Sequence, residues 1–307
     1  MTRAIEPEAP ANGPIRLDVG TRTVRVTHPE RVIWPITGTT KRELIDYLIA
    51  ISPVLVAHVR RRPTMLWRFP EGVDGPGWFQ AQCRGRPPWV ETMDVTGRRG
   101  DILRYCVIDE PATLAWLANI GTVELHPHGW TVERPDTPTH VVFDLDPGPP
   151  AGIREAAGVA LTIAERLRNV GLEPVVKTSG GRGLHVAAPL DPDETFGRSK
   201  AFGRALAEEL ASEAPDRIVA QSERSSRAGR VFIDWLENDR NRQLVAAYSP
   251  RATQIPQVST PLLWDEVEAA AAGHVRTVRQ GFVGVLDRVG HFGDIWTGTG
   301  RPAGRLP

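Results

Sequence analysis

The sequence predicts a mixed α/β fold of the α+β kind, with a central mixed or antiparallel sheet flanked by helices. Apolar stretches of strand length and of helix length are interspersed without strict βαβ alternation. The 29 glycines and 27 prolines among 307 residues punctuate the chain into many short elements. With 41% hydrophobic and 24% charged residues, the composition is that of a globular enzyme able to bury a substantial core.

Residues 1–22 begin MTRAIEPEAPANGP, which lacks the apolar stretch of a secretory signal, and they are expected to form a disordered leader. The alternation RTVRV over 22–26 predicts a short strand. Thr40 followed by Glu43, ahead of Leu44, Tyr47, Leu48, Ile51 and Leu55, predicts a helix opened by a capping box. Residues 63–110 predict short strands joined by Gly/Pro turns, and 111–120 a helix. THVVFD over 139–144 predicts a strand stopped by Asp146-Pro147-Gly148, and 153–170 an amphipathic helix ended by Gly171. Strands at 173–177 and 184–187 flank a glycine-rich turn, and 196–213 is helical. Strands are expected at 218–220, 231–235 and 244–247, and the tail from 264 should hold one helix and then glycine-rich loop. A chain of 307 residues can form one large domain or two small ones.

Lys plus Arg equals Asp plus Glu at 37 each, so net charge points to no polyanionic partner, and any such surface must be a local patch. No apolar run reaches about 18 residues, which argues against a membrane span. Cys83 and Cys106 are the only cysteines; their spacing implies neither a disulfide framework nor a zinc site, and the usage suits a reducing cytoplasm.

FDLDPG carries the chemistry. Side chains alternate along a strand, so Asp144 and Asp146 share a face, where two like charges repel unless a cation lies between them. Hard carboxylate oxygens suit Mg²⁺ or Mn²⁺. The competing reading makes Asp146 a turn or capping residue. Asp234, inside the apolar strand VFIDW, is a third carboxylate that needs a partner: a metal, or a salt bridge to Arg227 or Arg230. Ser179, Gly180, Gly181, Arg182 and Gly183 form a turn able to aim N–H groups at an anion, with His185 at the entry to the next strand. The bland alternative is a tight hairpin with an ordinary strand histidine. Trp78-Phe79 is a core pair or an exposed stacking platform. Lys41 lies at a helix N-terminus that favours phosphate, or is simply solvated. His128 is expected to be a hydrogen-bonded structural histidine, and Arg60-Arg61-Arg62 a solvated or phosphate-facing patch.

FDLDPG, SGGRGLH and VFIDW, in this order and spacing, resemble the motifs of archaeo-eukaryotic primase-type polymerases. The likeness is strongest to the polymerase domain of the bacterial end-joining ligase LigD in stand-alone form. RVIWPITGTTK, WRFPEGVDGPGWFQ, VELHPHGW, SSRAGRVFIDW and AAYSPRA extend the resemblance from about residue 23 to 251, and it implies a single domain over 23–300 with a catalytic core at about 120–255. It implies that Asp144, Asp146 and Asp234 hold two Mn²⁺ or Mg²⁺ ions with His126 beside them. It implies further that Ser179, Arg182, Gly183, His185 and Arg251 bind the nucleoside triphosphate, either ribo- or deoxyribonucleotide. Arg31 and Lys41 would grip a 5′-phosphate, Trp78 and Phe79 stack on template bases, and Arg227 position the primer end. The implied work is template-directed extension or gap filling at DNA ends in double-strand-break repair within the bacterial nucleoid. A Ku-like end binder and a separate ligase are the implied protein partners. Arg31 stands where lysine is expected, His28 where a small polar donor is usual, and Glu237 where a neutral or basic residue is. Two other classes compete: a haloacid-dehalogenase-like phosphatase, whose threonine two positions after the second Asp is here replaced by Gly148, and a non-catalytic module that bridges DNA ends.

Overall fold

The computed structural model describes residues 13–97, 99–221, 223–296 and 303–307. The leader therefore falls outside the described residues up to position 12. Ile15–Val19 (β1), expected within the leader, is instead a strand paired antiparallel with Arg22–Val26 (β2), and Val19, Val24 and Val26 enter the core.

Val32–Trp34 (β3) and Thr39–Thr40 (β4) lead into helix α1, Lys41–Val59. Its capping box is formed as expected: the Glu43 N–H donates to Thr40 Oγ1, and the Thr40 N–H donates to Glu43 Oε2 at 2.7 Å. Leu44, Leu48, Ile51 and Leu55 bury one face of α1 against α2, Pro111–Asn119. The first lobe's sheet is built on Pro63–Arg68 (β5). Trp78–Gln80 (β6) and Ile102–Val107 (β8) pair with β5, Thr92–Thr96 (β7) pairs with β8, and Thr122–Pro127 (β9) pairs with β5 from Thr64 to Arg68.

The second lobe is a six-stranded sheet. His140–Pro147 (β10) lies at its centre, between Leu184–Pro189 (β12) and Val231–Asp234 (β14). Val175–Thr178 (β11) follows β12, Ile218–Val219 (β13) follows β14, and Pro261–Leu262 (β17) forms the far edge; Pro250–Arg251 (β15) and Gln257–Val258 (β16) make a separate hairpin. Helices α3, Ile153–Asn169, and α4, Phe196–Glu213, help cover the sheet. Alternation decides which side chains go where. Val141, Phe143, Leu145, Leu184, Val186, Val231 and Ile233 enter the apolar core, so the intervening Asp144, Asp146, His185 and Asp234 are left on the opposite face.

Four expectations about elements need correction. β10 runs on through Asp146 and Pro147, because Asp146 and Pro147 still pair with Phe232 and Val231. Residues 244–247 are irregular, tied to the first lobe by single bonds such as Ala246 N–H to Leu125 O at 2.9 Å. The tail holds two helices, α5 at Trp264–Ala271 and α6 at Phe282–Phe292, the latter packing Val285 and Phe282 against the first lobe's core. Arg60-Arg61-Arg62 is not one patch: Arg61 pairs with Glu91, Asp109 and Glu133, while Arg62 donates to the His128 carbonyl.

Cys83 and Cys106 are joined in a disulfide, contrary to the expectation. Their separation of 23 positions conceals that the Cys83 N–H donates to Arg104 O at 2.7 Å, laying the loop beside β8 with the two Cα atoms 5.0 Å apart. The cysteines thus lend no support to a reducing compartment. Among the described residues no helix is long and apolar enough to cross a membrane.

His128 is buried as a structural histidine, with Nδ1 2.7 Å from Pro63 O and Nε2 2.8 Å from Gln243 Nε2. Burial is the main cause that pushes its pKa down to about 4. Because the folded value lies below the ordinary 6.5, the unfolded chain binds the proton first. The stability from neutral His128 is complete above about pH 6.5 and is lost as pH falls towards 4. We expect the stability advantage of the wild type over His128→Gln, measured by denaturant unfolding, to shrink by about 2 kcal/mol between pH 7.5 and 4.5. A constant difference across that range would contradict it. The comparison with the variant is needed because carboxylates with raised pKa act in the opposite direction.

Candidate active site

Strand register sets a row of functional groups across the second lobe. Lys177 on β11 pairs with His185 on β12, His185 with Asp144 on β10, and Asp144 with Asp234 on β14. Asp146 lies two residues beyond Asp144 on the same face. The three predicted aspartates therefore share one face of one sheet, and Asp144, Asp146 and His185 open into a cavity of about 510 Å³. Met65, Phe79 and His126 line it from the first lobe, Ser179 and Glu237 from the second, and Gln243 and Arg251 from the segment that follows β14.

The carboxylates are electrostatically frustrated. Burial, opposed by Lys177 and Arg251, raises Asp144 to about 6. Burial and then the Asp144 charge raise Asp146 to about 6, and burial also raises Asp234. Glu237 is pushed to about 8 by burial and by the Asp144 and Asp234 charges. The salt-bridge alternative for Asp234 is not realised: its Oδ1 accepts from Leu236 N–H at 2.9 Å, while Arg230 donates to Pro215 O. Arg227 instead lies over the Phe232 ring, with its guanidinium 3.8 Å from Asp146.

These residues fit a divalent cation in donor chemistry. Asp144 Oδ1 is buried with no hydrogen-bond partner: His185 Nε2 is 3.2 Å away, but outside hydrogen-bonding geometry. Hard oxygens that repel one another on one face are relieved by a hard cation. The side chains are not drawn into a closed cage, since no group of three or more acidic, histidine or cysteine side chains is assembled for an ion among the described residues.

The glycine-rich turn is the hairpin between β11 and β12, and its N–H groups are committed differently from expectation. Gly181 and Gly183 both donate to Ser179 Oγ at 3.3 Å, so the loop is locked by its own serine, and Arg182 is exposed at its tip. Gly180, at φ +77°, leaves the space that the Arg251 side chain fills, and a Cβ on Gly183 would run into Leu145 O between the two aspartates. Gly183 thus seats the turn against β10. We expect Gly183→Ala to cost about 1–3 kcal/mol in thermal or denaturant unfolding. Unchanged stability would show that the strand yields freely.

Sequence reasoning missed Glu124 and Lys177. Glu124, almost fully buried on β9, is ion-paired with Arg251 Nη1 at 2.9 Å, accepts from the Ala252 N–H at 2.8 Å, and lies 2.9 Å from His126 Nε2. Its alternation with His126, two positions on along β9, was the available signal. Burial lowers the His126 pKa and Glu124 opposes that. Lys177 is buried beside His185; burial and the Arg251 charge push it well below its ordinary value, with Asp144 acting the other way.

The remaining predicted residues lie in the first lobe. Trp78 and Phe79 are exposed, as the platform reading requires, with Phe79 stacked on Trp67 at 4.8 Å and edge-on to His126 at 5.5 Å. Arg31 borders a separate cavity of about 440 Å³ with His28, Pro29 and Glu30. Lys41 is buried and not solvated, donating to Thr27 O at 2.8 Å and Asn119 O at 3.0 Å; burial and the Arg31 charge lower it to about 8. Arg31 itself donates to Pro70 O and Glu71.

A two-lobed α+β fold with acidic residues in register across its sheet and a basic cradle beside them defines the class of primase-like polymerase domains. Residues 40–296 match the family described as LigD, primase-polymerase domain, and the chain belongs to that family. It is 35% identical over 276 residues to the multifunctional non-homologous end joining protein LigD of Mycolicibacterium smegmatis, covering 89% of this chain and 35% of the relative. Over 281 residues it is 32% identical to the corresponding DNA repair protein of Mycobacterium tuberculosis, covering 89% of this chain and 36% of that one. The chain thus spans about a third of the length of these relatives. The solved polymerase domain from Mycobacterium tuberculosis ligase D in complex with DNA superposes with a TM-score of 0.83 at 32% identity, covering 89% of this chain and 96% of that one.

Proposed function

We propose that this chain is a template-directed nucleotidyltransferase that extends or fills DNA ends during double-strand-break repair. The observation that carries this reading is Asp144, Asp146 and His185 lining a cavity with Arg251 and Phe79, with Asp234 in register beside Asp144 on the same sheet face. Divalent cations, Mn²⁺ or Mg²⁺, held by Asp144, Asp146 and Asp234 supply Lewis-acid activation and charge neutralisation when bound. Ser179, Arg182, His185 and Arg251 bind the triphosphate, with Gly183 seating the turn; His126 stands at the pocket edge, oriented through Glu124. Phe79 and Trp78 stack on template bases, where each base contributes about 1–3 kcal/mol. Arg227 positions the primer end, Arg31 and Lys41 take the downstream 5′-phosphate, and ribo- or deoxyribonucleoside triphosphates are the substrate. A Ku-like end binder and a separate ligase are the proposed partners.

The phosphatase reading has no such support, since family and fold both belong elsewhere. Primer extension on a gapped, 5′-phosphorylated duplex tests the proposal, with each ribo- and deoxyribonucleoside triphosphate and with Mn²⁺ or Mg²⁺. Template-matched incorporation is expected. Absence of incorporation under all these conditions, with DNA still bound, would leave the end-bridging reading in its place.

A further inference from the structure

We propose that Lys177, held as an ammonium, is a positioning residue that fixes the tautomer of His185, keeping hydrogen on Nε2 where the ring faces the cavity. Lys177 is buried, and its Nζ has three neighbours. Ser259 Oγ lies at 2.8 Å, His185 Nδ1 at 2.7 Å, and the Trp296 ring centroid at 5.6 Å. Ser259 donates its own hydrogen to Thr178 O at 2.8 Å, so towards Lys177 its oxygen can only accept. The face of Trp296 is electron-rich and also receives positive charge. The Trp296 face and the Asp144 charge favour the charged form of Lys177 against its burial and Arg251; as an ammonium it has three N–H donors and no acceptor, and it meets one acceptor, one π face and His185 Nδ1. The third contact then requires His185 Nδ1 to be the bare nitrogen, which places the ring hydrogen on Nε2.

Nε2 is the nitrogen at the active site. It is 3.2 Å from Asp144 Oδ1 without making a hydrogen bond to it, so its N–H remains available to a phosphate oxygen. The opposite tautomer would present a lone pair to an anion and repel it. The platform behind Lys177 is fixed from the C-terminal segment: Asp294 accepts from Tyr248 Oη at 2.9 Å and from the Trp296 N–H at 3.1 Å, with His58 Nε2 2.9 Å away. Sequence distant from every motif thereby reaches the nucleotide pocket through one buried lysine. The proposal rests on the reading of His185 as a triphosphate ligand.

Long-range ¹H–¹⁵N correlation spectra of ¹⁵N-histidine-labelled, metal-free protein read the tautomer directly, with His185→Ala assigning the signal. Wild type should show the Nε2–H form, a result that does not depend on any variant folding. In Lys177→Met that preference should be lost. The Kd for GTP with Mn²⁺ should rise about tenfold while the Kd for 5′-phosphorylated DNA stays unchanged. Lys177→Arg, which keeps donors, should recover part of the GTP affinity. An Nδ1–H tautomer in wild type, or unchanged tautomer and GTP affinity in Lys177→Met, would overturn the proposal. If His185→Ala bound GTP as wild type does, the triphosphate reading of His185 would fall and the proposed purpose with it. That failure is distinguishable, because the tautomer change in Lys177→Met would persist.

Discussion

Asp144→Ala is expected to reduce nucleotide incorporation by at least about a thousandfold while leaving affinity for 5′-phosphorylated DNA within about twofold. Losing one preorganised charge-stabilising group already costs roughly 10²–10³ in rate. Asp144 is the member of the acidic set in register with both His185 and Asp234, so its loss removes the centre of the proposed cation site. A second readout does not depend on turnover. The Asp144 pKa is raised in the fold, chiefly by burial, so its ionised form destabilises the metal-free protein near neutral pH. The variant should therefore melt no lower than wild type without metal. Mn²⁺ should raise the wild-type midpoint through ordinary binding linkage and leave that of the variant almost unmoved. Retained incorporation together with a retained Mn²⁺ shift would end the metal assignment.

The sequence exposed those parts of the site that depend on local periodicity. Alternation along FDLDPG and VFIDW places Asp144, Asp146 and Asp234 with the non-core side chains, and the pleat then delivers them to one face. The capping box of Thr40 and Glu43, and helix α4 at the expected bounds, follow from equally local rules. What remained hidden depends on which strands become neighbours. Nothing in the spacing of Lys177 and Glu124 shows that one lies behind His185 and the other under Arg251. Those relations arise from pairing across β11 and β12 and from docking of the 250s onto β9. The Cys83–Cys106 bond is legible only once β8 is in place. Residues 244–247 misled in the opposite sense: their apolar run suits a strand, yet it is used to line two cavities between the lobes. Burial there serves the site and not a ladder.

Glu124→Ala should be the most damaging single change to the fold of the pocket. The carboxylate joins three groups from two segments: Arg251 and the Ala252 amide at β15, and His126 on its own strand. Arg251 is mostly buried and its Nε already lacks a hydrogen-bond partner, so truncating Glu124 strands a guanidinium with little water to replace what it loses. Removing one partner of a buried pair costs about 3–5 kcal/mol, and the lower end applies because Arg251 keeps some exposure. For a chain of this size that corresponds to a fall in melting midpoint on the order of 10 °C. Glu124→Gln preserves shape and one hydrogen-bond acceptor and should lose about half as much stability. It should still weaken GTP binding, because Arg251 would no longer be held against the β11–β12 turn, where Gly180 leaves room for it. Melting curves and GTP titrations on both variants separate the two consequences. Wild-type stability in Glu124→Ala would mean that Arg251 finds another anchor, and the link from β9 to the nucleotide pocket would have to be abandoned.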